Sequence, residues 1–299
     1  MWHWHVPRPF LWLTLTALAL TAACETSPTG PCFDPTDSGA CTRRDSTHAS
    51  NVGGPNVSQI GPQEQRISCP SDATPEPGAV VQGGLEVNGY CLLDHVTVND
   101  GILVDPGGNV ELEGSLVSGG IVVSACGEIE VDLSDHPTGE TSTINGDLKA
   151  TASTDCPSGG FSDLDIWTAR MNGKLSISGS YLGGPTVCGN QITGNVVLDH
   201  ATSVHPFWLG DPDGVFGCPG NTIGGTLSVS NSMAVGVGRT LEVEANHVAG
   251  SVLLSASTLE LNENTIGGSL LCSNGTVILP GEPNDDPVDN TVRGANTCQ

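Results

Sequence analysis

The chain has 299 residues, including 40 Gly and 20 Pro, with 4% aromatic residues and a formal net charge of −24. So many helix-breaking residues exclude a helical bundle and a helical membrane channel. The scarcity of Lys and Arg excludes nucleic acid as a partner, because binding it depends on basic side chains that neutralise phosphates, and it disfavours anionic polysaccharides for the same reason.

The first predicted element is an export signal over residues 1–23. An apolar run, "PFLWLTLTALALTAAC", follows Arg8 and is short for a bilayer span. Its last residues, Leu20-Thr21-Ala22-Ala23-Cys24, resemble a bacterial lipobox, with Thr21 where that family usually has Leu. The resemblance implies that Cys24 is lipidated and anchors the protein on the extracytoplasmic side of the cell membrane. An ordinary signal peptide and secretion are the alternative.

The cysteine count fits the lipid anchor. The chain has 11 cysteines, an odd number that would leave one thiol unpaired in an oxidising compartment. If Cys24 carries lipid, ten cysteines remain for five disulfide bonds.

Residues 24–77 are predicted to be a disordered, flexible tether. The segment is rich in Pro, Ser, Thr, Asn and Gly and has little periodic hydrophobicity. Cys32 and Cys41 lie close enough in sequence to close a small loop within it. Such a tether would hold the following domain away from the membrane.

Residues 78–299 are predicted to be a repeat domain, because one seven-residue module recurs there. The repetition is plainest in "NTIGGTLSVSN" (221–231) and "NTIGGSLLCSN" (264–274). Alternate apolar residues predict strands with one buried face, and the small residue between them predicts a bend, so each copy is a bent strand pair. The ten copies begin at Val81, Val98, Val117, Ile144, Met171, Ile192, Ile223, Val248, Ile266 and Val292.

A second alternating strand lies between the modules. It is visible in "NVELEG" (109–114), "EIEVDL" (128–133), "TLEVEAN" (240–246) and "TLELNEN" (258–264). Repeats that cannot bury their own apolar face are stable only when stacked. We therefore predict an all-β fold, a right-handed parallel β-helix of about ten coils with loop insertions. A left-handed hexapeptide helix is the alternative, but it tolerates irregular spacing poorly.

Stacking predicts a ladder of asparagines, each two residues before a module. Asn tolerates the tight conformations of corners, and its amide can bond the Asn above and below. The five residues are Asn190, Asn221, Asn246, Asn264 and Asn290.

Stacking also predicts disulfide bonds. Cys272 and Cys298 both end their modules, so adjacent coils place their Cα atoms about 4.8 Å apart, within the reach of a disulfide. Cys188 and Cys218 occupy similar positions before their modules and would stack as well. Nearest-neighbour elimination then gives the remaining pairs. With the tether loop, the predicted bonds are Cys272–Cys298, Cys188–Cys218, Cys126–Cys156, Cys69–Cys91 and Cys32–Cys41.

Candidate catalytic residues are few. Two "LDH" triplets contain the pairs Asp94-His95 and Asp199-His200, and His205 lies in a long loop. Adjacent strand residues point to opposite faces, so neither pair is expected to act together. We expect no catalytic residue, metal or cofactor. The acidic segments "GDPDG" (210–214) and "NDDPVDN" (284–290) are interpreted as solubilising turns in preference to weak Ca²⁺ sites.

Aromatic residues in the insertions are the candidate ligand contacts. Exposed aromatic side chains on loops can stack on sugar rings or on a protein partner, whereas the alternative is that they pack onto the flank of the helix. The candidate ligand-facing residues are Trp167, Phe207, Trp208, Asp211 and Asp213, and Phe216 shares the loop.

The repeat domain resembles two groups of proteins. Its "V-x-G-x-I-x-V" rhythm resembles the polymer-forming bactofilins, and its ending, "NTIGGSLLC…NTVRGANTC", resembles secreted actinobacterial repeat proteins without an assigned activity. Bactofilins are cytoplasmic and lack a disulfide framework, so the export signal and the cysteines depart from that family.

The sequence predicts a non-enzymatic, surface-anchored β-helix lipoprotein. It would present loops for adhesion, cell-envelope binding or scaffolding, with a protein or glycan ligand as partner. The alternative is a polysaccharide-active lyase or glycoside hydrolase of the pectate-lyase-like class, since that class shares the fold. Self-association through the ends of the rod is a third hypothesis.

Overall fold

The described part of the chain is an all-β, right-handed parallel β-helix, as the sequence predicts. In the computed structural model, no described residue is helical, and so no helix among them is long and apolar enough to cross a membrane. The predicted sites Cys24, Cys32, Cys41 and Asp213 lie outside the described residues. The structure describes residues 66–69, 75–132, 141–153, 155–156, 162–181, 183–211, 217–236, 240–280 and 289–298.

Three parallel sheets form the sides of the helix, and the chain runs through sheets I, II and III in turn to complete each coil. Sheet I contains β2 (Val80–Val81), β5 (Thr97–Val98), β8 (Leu116–Ser118), β11 (Thr143–Asn145), β14 (Arg170–Met171), β17 (Gln191–Ile192), β20 (Thr222–Ile223), β24 (His247–Val248), β27 (Thr265–Ile266) and β30 (Thr291–Val292). Sheet II contains β1 (Ile67–Cys69), β3 (Leu85–Val87), β6 (Ile102–Val104), β9 (Ile121–Val123), β12 (Leu148–Ala152), β15 (Leu175–Tyr181), β18 (Val196–Ser203), β21 (Leu227–Ser230), β25 (Val252–Ser255) and β28 (Leu270–Ser273), with β22 (Met233–Ala234) beside β18. Sheet III contains β4 (Tyr90–Asp94), β7 (Asn109–Glu113), β10 (Glu128–Val131), β13 (Leu164–Trp167), β16 (Thr186–Cys188), β19 (Phe207–Leu209), β23 (Leu241–Glu244), β26 (Thr258–Asn262) and β29 (Val277–Leu279).

Each predicted module is one strand of sheet I, a bend, and the start of a strand or segment in sheet II. The alternating strands predicted between the modules form sheet III. Strand β1 lies ahead of residue 78, the predicted start of the repeat domain, and pairs in parallel with β3. The module pattern does not reveal β1 because no complete module precedes it.

The core is a set of apolar columns along the helix axis. Every second strand residue points inward, and equivalent residues of adjacent coils stack in register. The inward column of sheet I is fully buried along most of its length, so each coil covers the apolar face of the one before it. From the fourth module to the ninth this column is Ile144, Met171, Ile192, Ile223, Val248 and Ile266.

Glycines form a column at the bend between sheets I and II. The amide of Gly250 donates to the carbonyl of Gly225, 2.9 Å away, and Gly225 bonds Gly194 in the same way, at 3.0 Å. A Cβ atom on Gly250 would lie 2.5 Å from the Gly225 carbonyl oxygen, closer than real Cβ contacts allow. The module therefore requires a small residue here because consecutive backbones touch.

We expect Gly250→Ala to lower the free energy of unfolding by about 1–3 kcal/mol, because the added methyl group overpacks a backbone contact. Urea denaturation measures this change. Ser228→Ala is the control, since Ser228 lies on the outer face of sheet II, and it should change stability by less than about 0.5 kcal/mol. Equal effects of the two substitutions would show that the coils do not touch at the glycine column.

The predicted asparagine ladder is present at the corner between sheets III and I. Asn190, Asn221, Asn246 and Asn264 are buried, and each backbone amide and side-chain amide donates to the Oδ1 atom of the next Asn at 2.9–3.1 Å. The ladder ends at Asn290. Every Nδ2 also donates to a strand carbonyl, at 2.9 Å or less.

The same corner carries serines nearer the N-terminus. The Val96 amide donates to Ser115 Oγ at 2.9 Å, and the Ser115 amide donates to Ser142 Oγ at 3.0 Å. Ser142 in turn bonds Asp132 through its backbone amide and its hydroxyl. Both residue types therefore satisfy the buried backbone amides of this corner.

Four disulfide bonds join adjacent coils, and they are the four pairs predicted within the described residues. They indicate an oxidising, extracytoplasmic environment. The bonds are Cys69–Cys91, Cys126–Cys156, Cys188–Cys218 and Cys272–Cys298.

Candidate functional site

The outward side chains of sheet III are strongly acidic, and four of them, Glu111, Glu242, Glu244 and Glu260, are themselves buried. The described strands of this sheet contain nine Asp and Glu residues and no Lys or Arg. Equivalent outward residues of adjacent strands lie about 4.8 Å apart at Cα. The central outward column is Glu111, Glu130, Asp165, Thr186, Trp208, Glu242, Glu260 and Leu279.

Five acidic residues on three adjacent coils form the densest part of this face, which we call the carboxylate patch. Glu111, Glu130 and Asp165 stack in register in the central outward column. In the neighbouring column, Glu128 lies beside Asp163. These residues are neighbours only through the pairing of β7, β10 and β13 in sheet III. In the sequence, strands of the other two sheets and an insertion separate the three strands.

Burial and mutual repulsion raise the pKa values in the carboxylate patch. Burial, and then the charges of Asp163 and Glu130, raise the pKa of Glu128 to about 7. Burial, with the charges of Asp163 and Glu130, raises the pKa of Asp165 to about 7. Burial also raises the pKa of Asp163, against the opposing effects of the Leu164 amide and of His205. Glu128 and Asp165 therefore hold protons near neutral pH.

Neutral donors bind the carboxylates of the patch. Asn109 Nδ2 donates to Glu128 Oε2 at 3.0 Å and to Glu130 Oε1 at 3.3 Å. The Tyr90 hydroxyl donates to Glu111 Oε2. The side-chain amide of Asn109 and the hydroxyl of Tyr90 therefore hold these carboxyl groups in place without adding a positive charge.

Two tryptophans lie on the same face. Trp167 follows Asp165 by two positions in β13, so both side chains point outward, and Trp208 lies one coil beyond Thr186 in the column of Asp165. Both indoles are partly buried. The sequence predicts loop insertions at these residues, whereas they belong to strands of sheet III.

Two other predicted ligand contacts are corrected by the structure. Phe207 is 0% exposed, because it alternates with Trp208 in β19 and so points into the core. Asp211 is also buried, and its backbone amide donates to the Cys218 carbonyl at 2.7 Å. Neither is a ligand-facing residue, and Phe216 lies outside the described residues.

The Asp-His pairs also differ from expectation. His95 and His200 have φ values of 55° and 54°, left-handed conformations that interrupt strand alternation. Each imidazole Nδ1 therefore meets the preceding aspartate, with His200 2.9 Å from Asp199 Oδ1. Both pairs are solvated, and a hydrogen bond from Ser230 lowers the pKa of Asp199. His95 directly follows β4, whereas His200 is the extra residue of a β-bulge in β18, and each contacts the aspartate before it.

The outer face of sheet III combines two indole rings with carboxyl groups. Indole rings stack on sugar rings, and carboxylates accept hydrogen bonds from sugar hydroxyls. A carboxyl group with a pKa near 7 also suits general acid catalysis. Within the described ranges, no three His, Cys, Asp or Glu side chains converge as a metal site.

A sequence signal for the patch exists in the alternating acids of "NVELEG", "EIEVDL" and "SDLDIW". The first two segments are predicted strands, but the pattern alone does not align their outward residues with those of the third. Aligning the third segment requires the register between β10 and β13, across residues 133–140, which the module spacing does not give.

We expect the carboxylate patch to make the protein less stable as pH rises from 5 to 8. The folded-state pKa values of Glu128 and Asp165 lie above the unfolded values, so the folded state binds protons more tightly and loses stability as these groups ionise. We expect the free energy of unfolding to fall by on the order of 2 kcal/mol over this range. This is less than the pKa shifts alone imply, because Glu128 is only half-buried and solvent screens its charge. Thermal unfolding at each pH measures it.

Asp165→Asn should flatten this pH dependence, whereas Asp199→Asn, on a solvated pair, should leave it unchanged. A stability that is constant or rises over the same range would contradict the raised pKa values.

No family model matches the chain, and no curated protein or solved structure matches it either.

Proposed function

We propose that the chain is an exported, non-enzymatic β-helix lipoprotein that binds a glycan of the cell envelope on the outer face of sheet III. The observation that carries the proposal is the shared outward face of Trp167, Asp165 and Trp208. Rigid strands position these side chains, and rigid elements define binding geometry better than loops do.

The charge of this face selects the ligand class. Acidic side chains repel uronates and phosphorylated polymers, so the ligand is a neutral glycan or one with amino groups.

The disulfide bonds support an extracytoplasmic location, and the lipobox resemblance at Cys24 supports membrane anchoring. Mass spectrometry of the mature N-terminus tests the anchor: diacylglycerol on Cys24 supports it, and a free or absent Cys24 indicates secretion.

Affinity electrophoresis with neutral and amino-containing polysaccharides tests the binding proposal. Trp208→Ala should weaken binding by about tenfold, the usual effect of removing an aromatic contact. His247→Ala, on the exposed face of sheet I, is the control and should not change it. Equal binding by both variants and the unchanged protein would exclude sheet III as the binding face.

A glycoside hydrolase is the second candidate, and the carboxylate patch favours it. A carboxyl group that keeps its proton near pH 7 can donate to a leaving group while a second carboxylate acts as base or nucleophile. New reducing ends, lost in Asp165→Asn and retained in Asp199→Asn, would support the enzyme. Binding without new ends would support the non-enzymatic function.

A further inference from the structure

The two ends of the described helix differ in how well their core is covered. At the N-terminal end, the inward residues Val81, Cys91 and Leu93 are fully buried. At the C-terminal end, Ile278 is 37% exposed, although it stacks on Leu259, which is 0% exposed. The core therefore opens to solvent at its C-terminal end.

Val292 shows the same feature on sheet I. It stacks on Ile266, which is fully buried, yet Val292 itself is only partly buried. Two of the three sides of the last apolar layer thus lack the cover that the preceding coil has.

The outer surface of the last coil is unusually apolar. Leu279 occupies the outward column that holds Glu260 one coil earlier, and Val277 stacks on Thr258. Leu271 lies above Leu253 on sheet II, and both are 38% exposed. The acidic character of sheet III therefore stops one coil before this end.

Two strands at this end have an open edge. β29 and β30 are the terminal strands of sheets III and I, so each is paired on one side only among the described residues. Sheet II is extended by residues 295–298, where Asn296 bridges to Leu270. Open edges are templates for pairing with another strand, and charged residues, which usually block such pairing, are absent from β29 and β30.

We propose that two copies of the chain associate through their C-terminal ends to form a two-fold dimer. The partner must supply an uncovered apolar layer, and it must supply open strand edges spaced as β29 and β30 are. The C-terminal end of a second copy has both, whereas at the N-terminal end Val81, Cys91 and Leu93 are fully buried and Ile67 is partly buried. Contact between identical ends is isologous and closes after two copies. This inference is independent of the ligand proposed for sheet III.

Charge predicts how the dimer responds to salt. The chain is strongly acidic, with a formal net charge of −24. Like charges on the two copies repel, and salt screens them. Dimerisation should therefore strengthen as NaCl increases from about 0.05 to 0.5 M.

Sedimentation velocity of the purified chain over a concentration series tests the proposal. We expect a monomer–dimer equilibrium. Leu279→Glu restores the residue type found at this column in the two preceding coils, and it should raise the dimer dissociation constant by about tenfold or more. Val122→Glu is the control, because Val122 is exposed on sheet II far from this end, and it should not change the constant.

Circular dichroism checks that the variants fold. If Leu279→Glu does not fold, the double variant Leu271→Ser with Val277→Thr, which copies Ser228 and Thr258, provides the test and should also weaken the dimer. A monomer at every concentration and salt, open-ended filaments, or dimers unaffected by the folded variants would overturn the proposal.

Discussion

Replacing Asn246 by Ala is expected to lower the free energy of unfolding by about 3–5 kcal/mol. Asn246 Oδ1 accepts hydrogen bonds from the backbone and side-chain amides of Asn221, both at 2.9 Å. Asn246 Nδ2 donates to the carbonyl of Leu209 at 2.7 Å. The substitution removes the acceptor of the buried Asn221 backbone amide and the donor to the Leu209 carbonyl, whereas Asn221 Nδ2 keeps its bond to the Val187 carbonyl. An unsatisfied buried polar group costs about 1–3 kcal/mol. Urea denaturation monitored by circular dichroism measures the loss.

Asn172→Ala is the matched control for this substitution. Asn172 also bonds an asparagine of the adjacent coil, donating to Asn145 Oδ1 at 2.7 Å, but this pair is exposed to solvent. Water replaces the lost partner there, so the expected change is below about 0.5 kcal/mol. If the two variants lost similar stability, the buried ladder would not be what fixes this corner.

Removing the Cys188–Cys218 disulfide in the double variant Cys188→Ala with Cys218→Ala should cost about 3 kcal/mol. The bond closes a segment with a sequence separation of 30 residues, and both cysteines are buried. Its loss increases the conformational entropy of the unfolded chain and removes two buried sulfur atoms. Chemical denaturation under non-reducing conditions measures the difference.

Asn172→Ala serves again as the reference for an exposed substitution. A loss below about 1 kcal/mol in the cysteine double variant would mean that neighbouring coils remain joined without this bond.

The repeat was predictable because its determinants are local. The small residue of each module is required by the contact between the Gly250 and Gly225 backbones, and that requirement appears directly in the sequence. The asparagines share one position relative to the module, so their stacking follows from the module itself. The pairs Cys272–Cys298 and Cys188–Cys218 follow from the same register, and elimination then gives the other two described pairs.

The placement of the aromatic residues was less predictable. Phe207 and Trp208 are adjacent in a segment that resembles a loop insertion, and only the pairing of β19 with β16 and β23 shows that one points inward and the other outward. The left-handed conformations of His95, after β4, and of His200, at a bulge within β18, likewise depend on features that the apolar pattern does not mark.

The carboxylate patch depends on long-range register. Glu130 and Asp165 are neighbours only because β10 and β13 pair across the insertion that separates them. No local pattern predicts that pairing. The acids of the patch therefore appear in the sequence as ordinary solvated residues, although the fold partly buries them and raises the pKa values of Glu128 and Asp165.

Stacking of consecutive coils is the claim on which the fold, the binding face and the dimer all depend. Mass-spectrometric mapping of peptides released without reduction tests it most directly. The expected cross-linked peptides contain Cys69 with Cys91, Cys126 with Cys156, Cys188 with Cys218, and Cys272 with Cys298. A bond between Cys272 and any cysteine other than Cys298 would contradict the stacking.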